Sequence, residues 1–297
     1  MDVTSVASTA PGGRTDPVRA VSVVSTGSVE IHPEHAVGTR KPLYWWLLTS
    51  RRWLPPRPIN VYVIEHTNGL VLFDTGQDRA SVTDDSYFPG GLAGVVYDRL
   101  ARFAIGPDET LEAQLAALGY SAADVDTALI SHLHQDHIGG IPALTGTQLL
   151  VTAAEWAQLA GFSPEARGFL REHIDIPGAK WNHVSFDPTA DPTLAPFTES
   201  LDLMGDGSLV LLPTPGHTPG SFSLLVRRRT LPPLLLVGDL TYAAALLERR
   251  QLLGVGDRRQ LAETTEKVLA LADRIPGLVI LPAHDPTAAH RLLESTR

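Results

Sequence analysis

Cysteine is absent from this chain of 297 residues. Disulfide bonds and thiolate metal ligands are therefore excluded, because both require cysteine sulfur. The candidate metal ligands discussed below therefore have to be hard or borderline nitrogen and oxygen donors.

Basic residues are in short supply. The chain has 24 Lys and Arg against 33 Asp and Glu, a formal net charge of −9. A nucleic-acid partner needs a concentrated basic face that neutralises phosphates. The two short arginine runs, Arg51-Arg52 and Arg227-Arg228-Arg229, are more typical of a solvated surface. We therefore predict that this protein has no nucleic-acid partner.

Long hydrophobic runs are also missing, since no stretch approaches the roughly 18 uninterrupted apolar residues of a membrane span. The segment from Met1 to Ser8 has neither the basic nor the apolar part of a secretory signal. We therefore expect no membrane association and a cytoplasmic location. A hydrophobic content of 43% with 19% charged residues is typical of a folded protein with a sizeable core.

Histidine, in contrast, is concentrated at one place. Three histidines and an aspartate, namely His132, His134, Asp136 and His137, follow the apolar run Ala128-Leu129-Ile130, which predicts a strand. Protonated imidazoles this close together would repel one another unless a cation kept the rings neutral. The cluster therefore favours a metal site over the alternative of separate structural histidines.

The spacing within the cluster predicts two metal ions. His132 and His134 are two residues apart and lean to the same side of an extended segment, whereas Asp136 and His137 lie on the following bend. Four ligands cannot fill two sites, so we expect more donors at the ends of other strands. The candidates are His217, Asp239 and His284, each of which follows an apolar run.

The motif His132-Leu133-His134-Gln135-Asp136-His137, with these three later residues, resembles the metallo-β-lactamase superfamily, and the resemblance covers most of the chain. It implies a first metal on His132, His134 and His217, a second on Asp136, His137 and His284, and a bridging Asp239. It also implies that Asp74, in Leu72-Phe73-Asp74-Thr75-Gly76, supports the site without binding metal. The absence of cysteine argues against the thiolate-using, antibiotic-hydrolysing members.

Within the superfamily, Tyr242 follows the bridging Asp239 by three residues, which resembles the acyl-homoserine lactone lactonases. The resemblance implies that a metal-bridging hydroxide opens the lactone ring of a small N-acyl homoserine lactone. Two divalent ions about 3.5–4 Å apart can share such a hydroxide near neutral pH. The expected catalytic residues are Tyr242 and Asp136. Tyr242 would donate a hydrogen bond to the carbonyl, and either Asp136 or a metal-bound water would protonate the departing alkoxide. Tyr242 has the alternative interpretation of a packing aromatic at the start of a helix.

Other activities remain open at this point. A thioester hydrolase of the glyoxalase II type, or another ester hydrolase of the same fold, would share all seven ligands. Its anionic substrate would require a basic patch near the site, for which Arg227 to Arg229 and Arg249-Arg250 are the candidates. A non-catalytic binding protein would be expected to have lost ligands. The expected metal is zinc, although iron, manganese and cobalt accept the same donors.

The order of predicted elements gives the fold class. Residues 1–17 are rich in Ser, Thr, Gly and Pro and are expected to be disordered or loosely attached, and residues 18–297 are expected to form one hydrolase domain. Strands are predicted at 20–25, 59–64, 70–73, 128–130, 149–151, 209–212, 222–226, 234–237 and 279–281. Helices are predicted at 111–118, 153–160, 164–173, 259–274 and after Pro286. This pattern fits the α/β, four-layered αββα sandwich of the metallo-β-lactamase fold, with the metal site at the sheet edge.

Aromatic residues are concentrated between Leu43 and Leu48, where Tyr44, Trp45 and Trp46 are consecutive. One interpretation is a packed loop or a contact between the two copies of a homodimer, and the other is a wall of the substrate site that binds an acyl chain. The remaining histidines have no partner at a suggestive spacing, and we predict no role in the site for them: His32, His35, His66, His173, His183 and His290.

Overall fold

The computed structural model describes residues 4–7 by their backbone, and residues 16–296. Two sheets account for its strands. The first sheet contains β1 (Thr4–Ala7), β2 (Val18–Ile31), β3 (Arg57–His66), β4 (Gly69–Phe73), β5 (Ala101–Ala104), β6 (Val125–Leu129), β7 (Gln148–Thr152) and β8 (Lys180–Val184). The second contains β9 (Asp187–Pro188), β10 (Glu199–Asp202), β11 (Leu209–Pro213), β12 (Phe222–Val226), β13 (Leu234–Gly238) and β14 (Val279–Pro282).

Helices connect these strands, and most of them are short. They are α1 (Pro33–Ala36), α2 (Leu43–Thr49), α3 (Ala80–Thr83), α4 (Gly91–Leu100), α5 (Leu111–Ala117), α6 (Gln135–Ile138), α7 (Ala153–Trp156), α8 (Arg171–Ile174), α9 (Ala244–Glu248), α10 (Arg258–Arg274) and α11 (Ala288–Glu294). Within the described part of the chain, none of them is both long enough and apolar enough to cross a membrane.

The strand order brings several strand ends to one edge. In the first sheet the order is β1-β2-β3-β4-β6-β7-β8, with β5 added to β2, and the β4–β6 pair is parallel. In the second sheet the order is β14-β13-β12-β11-β10-β9, and β13 and β14 are parallel. Parallel strands end at the same edge of a sheet. The residues that follow β4 and β6 therefore lie near each other, and so do the residues that follow β13 and β14.

Three apolar cores separate four layers. The core between the sheets contains Tyr62 and Phe73 from the first sheet and Leu211 and Phe222 from the second, all 1% exposed or less. A second core lies between the first sheet and helices that include α5, and a third lies between the second sheet and α10. The predicted four-layered αββα sandwich is therefore confirmed.

Helix α10 shows how the sequence forms one outer layer. The side chain of Asp257 caps its first turn by accepting from the backbone nitrogens of Arg259 and Gln260. Its buried residues recur every three or four positions, which turns one apolar stripe toward the sheet. They are Leu261, Thr264, Thr265, Val268 and Leu271.

Two predictions need correction. Residues 1–3 and 8–15 of the predicted disordered segment lie outside the described residues, but Thr4–Ala7 forms β1, antiparallel to β2. The prediction that the segment is disordered or loosely attached is thus wrong for these four residues. Their backbone pairs with the open edge of β2, and this pairing does not depend on the composition of their side chains. The helix predicted at 164–173 is interrupted at Gly168, whose φ of +91° cannot continue a right-handed helix. The single domain predicted over residues 18–297 stays a prediction.

The packing between the sheets leads to a test with two phenylalanines. Phe222 is 1% exposed and meets Phe73 edge-on at 6.0 Å, whereas Phe162 is 96% exposed. We expect Phe222→Ala to lower the free energy of unfolding by about 3–5 kcal/mol, because it leaves a cavity between the sheets. Phe162→Ala, the matched control, should change it by less than about 0.5 kcal/mol. Urea denaturation followed by fluorescence measures both, and equal effects would contradict this account of the core.

Candidate metal centre

The histidine motif lies where β6 ends and α6 begins. His132 lies three residues after the end of the strand, and His134, whose backbone is extended, is the residue before the first turn of α6. Asp136 and His137 lie in that turn, and the ring of His137 packs against that of His132 with 4.0 Å between the ring centroids. The residues of this one short motif thus fall into two groups of potential donors, His132 with His134 and Asp136 with His137.

Three imidazoles form the first group. The Nδ1 atom of His134 lies 3.1 Å from Nε2 of His132 and 2.9 Å from Nε2 of His217. His217 comes from the loop between β11 and β12, 83 residues further along the chain. The three donor atoms converge on one point that a cation can occupy.

The second group contains Asp136, His137 and His284. Nε2 of His284 lies 3.3 Å from Oδ2 of Asp136, and Nε2 of His137 lies 3.7 Å from Oδ1 of the same carboxylate. His284 follows β14 and reaches the centre from the second sheet. This group mixes nitrogen and oxygen donors, whereas the first group contains nitrogen alone.

Asp239 lies between the two groups, directly after β13. Its Oδ1 atom is 3.4 Å from Nε2 of His137 and 3.3 Å from Nε2 of His284, while Oδ2 is 3.5 Å from Nε2 of His217. Each carboxylate oxygen therefore faces a different group. His132, His137 and Asp239 also converge as a third set of donors, which joins the two groups into one centre.

Burial makes these groups costly without a cation. Desolvation holds the pKa of His132 well below its usual value and lowers that of His217 to about 3. Desolvation also acts on His284, but the carboxylates of Asp239 and Asp136 outweigh it and raise its pKa to about 10. Nε2 of His137 and Oδ1 of Asp239 are buried without a hydrogen-bond partner among the described residues. Unsatisfied donor atoms of this kind fit a divalent cation.

Outer hydrogen bonds orient the rings. Asp74 is buried and accepts from the backbone nitrogen of Ser131 at 2.8 Å, from its hydroxyl at 3.0 Å and from Nδ1 of His137 at 2.9 Å. Nδ1 of His284 donates to the Pro58 carbonyl, and Nε2 of His134 donates to the Arg167 carbonyl. Each of these bonds leaves the other ring nitrogen turned to the centre, which is how a protein fixes metal-binding histidines.

Glu155, which we did not predict as part of the site, is fully buried. Its carboxylate accepts from the backbone nitrogen of Leu133, between two ligands of the motif, and from that of Gly220, in the loop that carries His217. The same side chain interacts with Thr218. Glu155 therefore joins the loop that contains His132 and His134 to the loop that contains His217. No pattern in the sequence around α7 predicts this role.

Tyr242 reaches the centre, and it is accompanied by a histidine for which we predicted no role. The Tyr242 hydroxyl lies 3.1 Å from Nε2 of His35, and the two rings meet edge-on at 5.5 Å. Burial, followed by the charges of Asp239 and Asp136, raises the pKa of Tyr242 well above its usual value, so the phenol is neutral. His35 was missed because its partner is 207 residues away.

A cavity of about 410 Å³ opens beside the centre. His134, Asp136, Asp239, Tyr242 and His35 line one end of it. Apolar side chains line most of the rest, and they include Val29, Ile31, Leu43, Leu47, Phe88, Leu100, Phe103 and Phe169. A polar reaction site is thus joined to an apolar chamber.

The predicted aromatic wall is partly wrong. Tyr44 lines the cavity, together with Leu43 and Leu47 of α2. Trp45 is 62% exposed and Trp46 is 1% exposed, and neither contributes to the described lining. The segment is helical, so consecutive residues point in different directions: Trp46 packs beside His32 and His35 instead.

The role of Asp74 leads to a test. We expect Asp74→Asn to weaken metal affinity roughly 10- to 100-fold. The substitution replaces one of the two oxygens that accept hydrogen bonds from Ser131 and His137 with an amide nitrogen, which cannot accept a hydrogen bond. Competition with a chromophoric chelator measures the change. Asp126→Asn is the matched control, since Asp126 also accepts from a backbone nitrogen, that of Leu70, but at the opposite end of the β4–β6 pair. Equal affinities of the two variants would contradict the role of Asp74.

Comparison with known proteins agrees with this geometry. A family model described as the metallo-beta-lactamase superfamily matches residues 54–284. An N-acyl homoserine lactonase, AttM, of Rhizobium radiobacter is 31% identical over 235 residues, which are 78% of this chain and 83% of that protein. A probable metallo-hydrolase of Mycobacterium tuberculosis is 32% identical over 244 residues, 76% of this chain and 74% of that protein.

The fold is also found among solved structures. The structure of an N-acyl homoserine lactone hydrolase, with the product N-hexanoyl-L-homoserine at its catalytic metal centre, superposes with a TM-score of 0.71. It is 21% identical, and the match covers 92% of this chain and 94% of that one. Since the family model spans more than half of the chain and includes every residue of the two donor groups, this chain belongs to the metallo-β-lactamase superfamily.

Proposed function

We propose that this protein is a metal-dependent hydrolase that opens the lactone ring of N-acyl homoserine lactones. The observation that carries the proposal is the division of the Asp239 carboxylate between two groups of donors beside an apolar cavity. In this proposal the first ion is held by His132, His134 and His217, the second by Asp136, His137 and His284, and Asp239 binds both.

The relatives support the choice of substrate. AttM of Rhizobium radiobacter is named as a lactonase, and the match covers most of both chains. The solved lactone hydrolase that shares the fold holds a ring-opened acyl homoserine at its metal centre. The centre described here belongs to the same fold, and divalent ions are the occupants that its donor set suits.

The metal ions supply an activated water and polarise a carbonyl when they are bound. Zinc is the proposed metal, because imidazole and carboxylate at buried, converging positions suit it well. Iron, manganese and cobalt share these donors, so metal analysis of the purified protein decides among them.

The protein's own groups handle the substrate and the protons. Tyr242 lines the cavity, and its hydroxyl donates a hydrogen bond to the lactone carbonyl as negative charge develops on the carbonyl oxygen. Asp136 is the more exposed of the two carboxylates, with 18% of its side chain accessible, against 4% for Asp239. It takes the proton lost by the attacking water and transfers it to the alkoxide when the ring C–O bond breaks.

The cavity favours a neutral substrate with an apolar tail over an anionic thioester. Among the described residues, Arg167 is the one arginine or lysine that lines it, and Glu165 and Asp257 line it as well. None of the arginines that were candidates for the basic patch of a thioesterase, Arg227 to Arg229 and Arg249-Arg250, lines the cavity. Arg227 pairs with Asp191, Arg228 is buried against Pro232, and Arg250 pairs with Glu266.

The proposed activity has a direct test. Metal-loaded protein should release acid from N-acyl homoserine lactones, whereas matched glutathione thioesters should be hydrolysed far more slowly. Exhaustive chelation should abolish turnover, and added zinc should restore it. Asp239→Asn should lower kcat/KM at least about a hundredfold, because one shared oxygen donor is lost. Full activity after chelation, or faster turnover of the thioester, would reject the proposal.

The lining of the chamber predicts a dependence on chain length. Tyr44→Ala should raise KM roughly fivefold for a long-chain lactone, since the loss of about 40 Å² of apolar contact costs about 1 kcal/mol at about 25 cal/mol per Å². An unsubstituted butyrolactone should show no change. Trp45→Ala is the control, because Trp45 is next in sequence and similarly exposed but does not line the cavity. An equal effect of both substitutions would show that α2 acts through stability alone.

A further inference from the structure

We infer that His35 is a positioning residue for the reaction, and that its Nε2 atom holds the Tyr242 hydroxyl in the orientation needed to donate to the substrate carbonyl. This inference rests on the proposed function for its kinetic part. His35 lies on α1, the helix that follows β2, and it belongs to neither group of potential metal donors.

The contact is close and buried. Nε2 of His35 lies 3.1 Å from the Tyr242 oxygen, and the exposed fractions of the two residues are 7% and 3%. Both line the cavity at the end where the donors converge. A hydrogen bond in such a site is protected from competition by bulk water, so it can fix the position of a side chain.

Proton counting assigns the direction of this bond. A phenol has one proton, and the Asp239 carboxylate beside Tyr242 can only accept. The hydroxyl therefore donates toward Asp239 and the reaction centre. In the tautomer that carries its proton on Nε2, His35 donates to the Tyr242 oxygen, and this is the tautomer that the inference assigns to it. Such an arrangement leaves the phenolic proton on the side of the substrate.

His35 suits this role because it is a neutral ring in a fixed place. Burial lowers its pKa to about 4, against the opposing effect of Asp239, so it adds no positive charge beside the cation centre at neutral pH. Its ring packs against Trp46 at 5.9 Å, and the indole is buried. The buried Trp46, which does not line the cavity, thus supports the residue that orients Tyr242.

His32 is a matched control within the same turn of the chain. It is also buried and its ring contacts Trp46, at 6.1 Å, but its Nδ1 atom bonds to the Arg52 carbonyl. It is not among the residues that line the cavity. The same substitution at His32 therefore reproduces the loss of a buried imidazole on Trp46 without touching Tyr242.

The experiment is a double-mutant cycle on metal-loaded protein. His35→Leu should lower kcat for a lactone roughly 5- to 10-fold with little change in KM, because a hydrogen bond used in the transition state is lost. In a Tyr242→Phe background the same substitution should have no further effect. His35→Gln, whose amide can donate from a similar position, should recover most of the rate. His32→Leu should lower thermal stability but leave kcat unchanged.

A second measurement does not depend on activity. In protein labelled with carbon-13 at the tyrosine ring carbon bearing the hydroxyl, the signal that disappears in Tyr242→Phe identifies Tyr242. That signal should shift in His35→Leu and keep its position in His32→Leu. An unmoved signal, or equal loss of kcat with and without the Tyr242 hydroxyl, would overturn the inference. If the wild-type protein hydrolysed no lactone while this signal still shifted, the substrate would be wrong and the contact right.

Discussion

The structure depends on the burial of ionisable groups at one edge of two packed sheets. Five imidazoles and two carboxylates meet there, and all but Asp136 and His134 are less than a tenth exposed. Removing such groups from water costs several kcal/mol for each charge unless another charge or a ligand compensates. In the proposed assignment, bound cations would provide that compensation for all seven side chains. The scaffold in turn has to hold the donors close together against their mutual repulsion.

Much of the scaffold serves this purpose. Asp74, at the end of β4, holds both Ser131 and His137, and Glu155 holds the backbone on either side of the gap between the sheets. Arg57 adds a third connection, since its guanidinium donates to the carbonyls of Tyr242 and His284. Each contact joins segments that are distant in sequence. Precision at the centre therefore comes from polar bonds between loops, and the apolar layers supply the rigid support beneath them.

The sequence predicted the parts that depend on local chemistry. The density of histidine after a strand indicated the centre, and the strands that precede His217, Asp239 and His284 were recognisable by their apolar runs. The residues that were missed have no local signal: His35 and Glu155 gain their meaning from partners that folding brings near. Trp45 and Trp46 were grouped as one wall because they are adjacent, although a helix turns them apart. Edge pairing of Thr4–Ala7 was likewise invisible, because it uses backbone atoms.

The division of the donors between the two sheets has a consequence for assembly of the molecule. His132, His134, Asp136 and His137 follow a strand of the first sheet, whereas His217, Asp239 and His284 follow strands of the second. A half-folded chain with one sheet formed would present an incomplete set and would lack the shared carboxylate. With the proposed ligands, tight binding of the ions would require that the two halves have already docked. Bound ions would then oppose the separation of the halves, since a ligand that binds the native state alone stabilises it. Ion binding at the centre would thereby stabilise the interface between the two sheets, on which the centre itself depends.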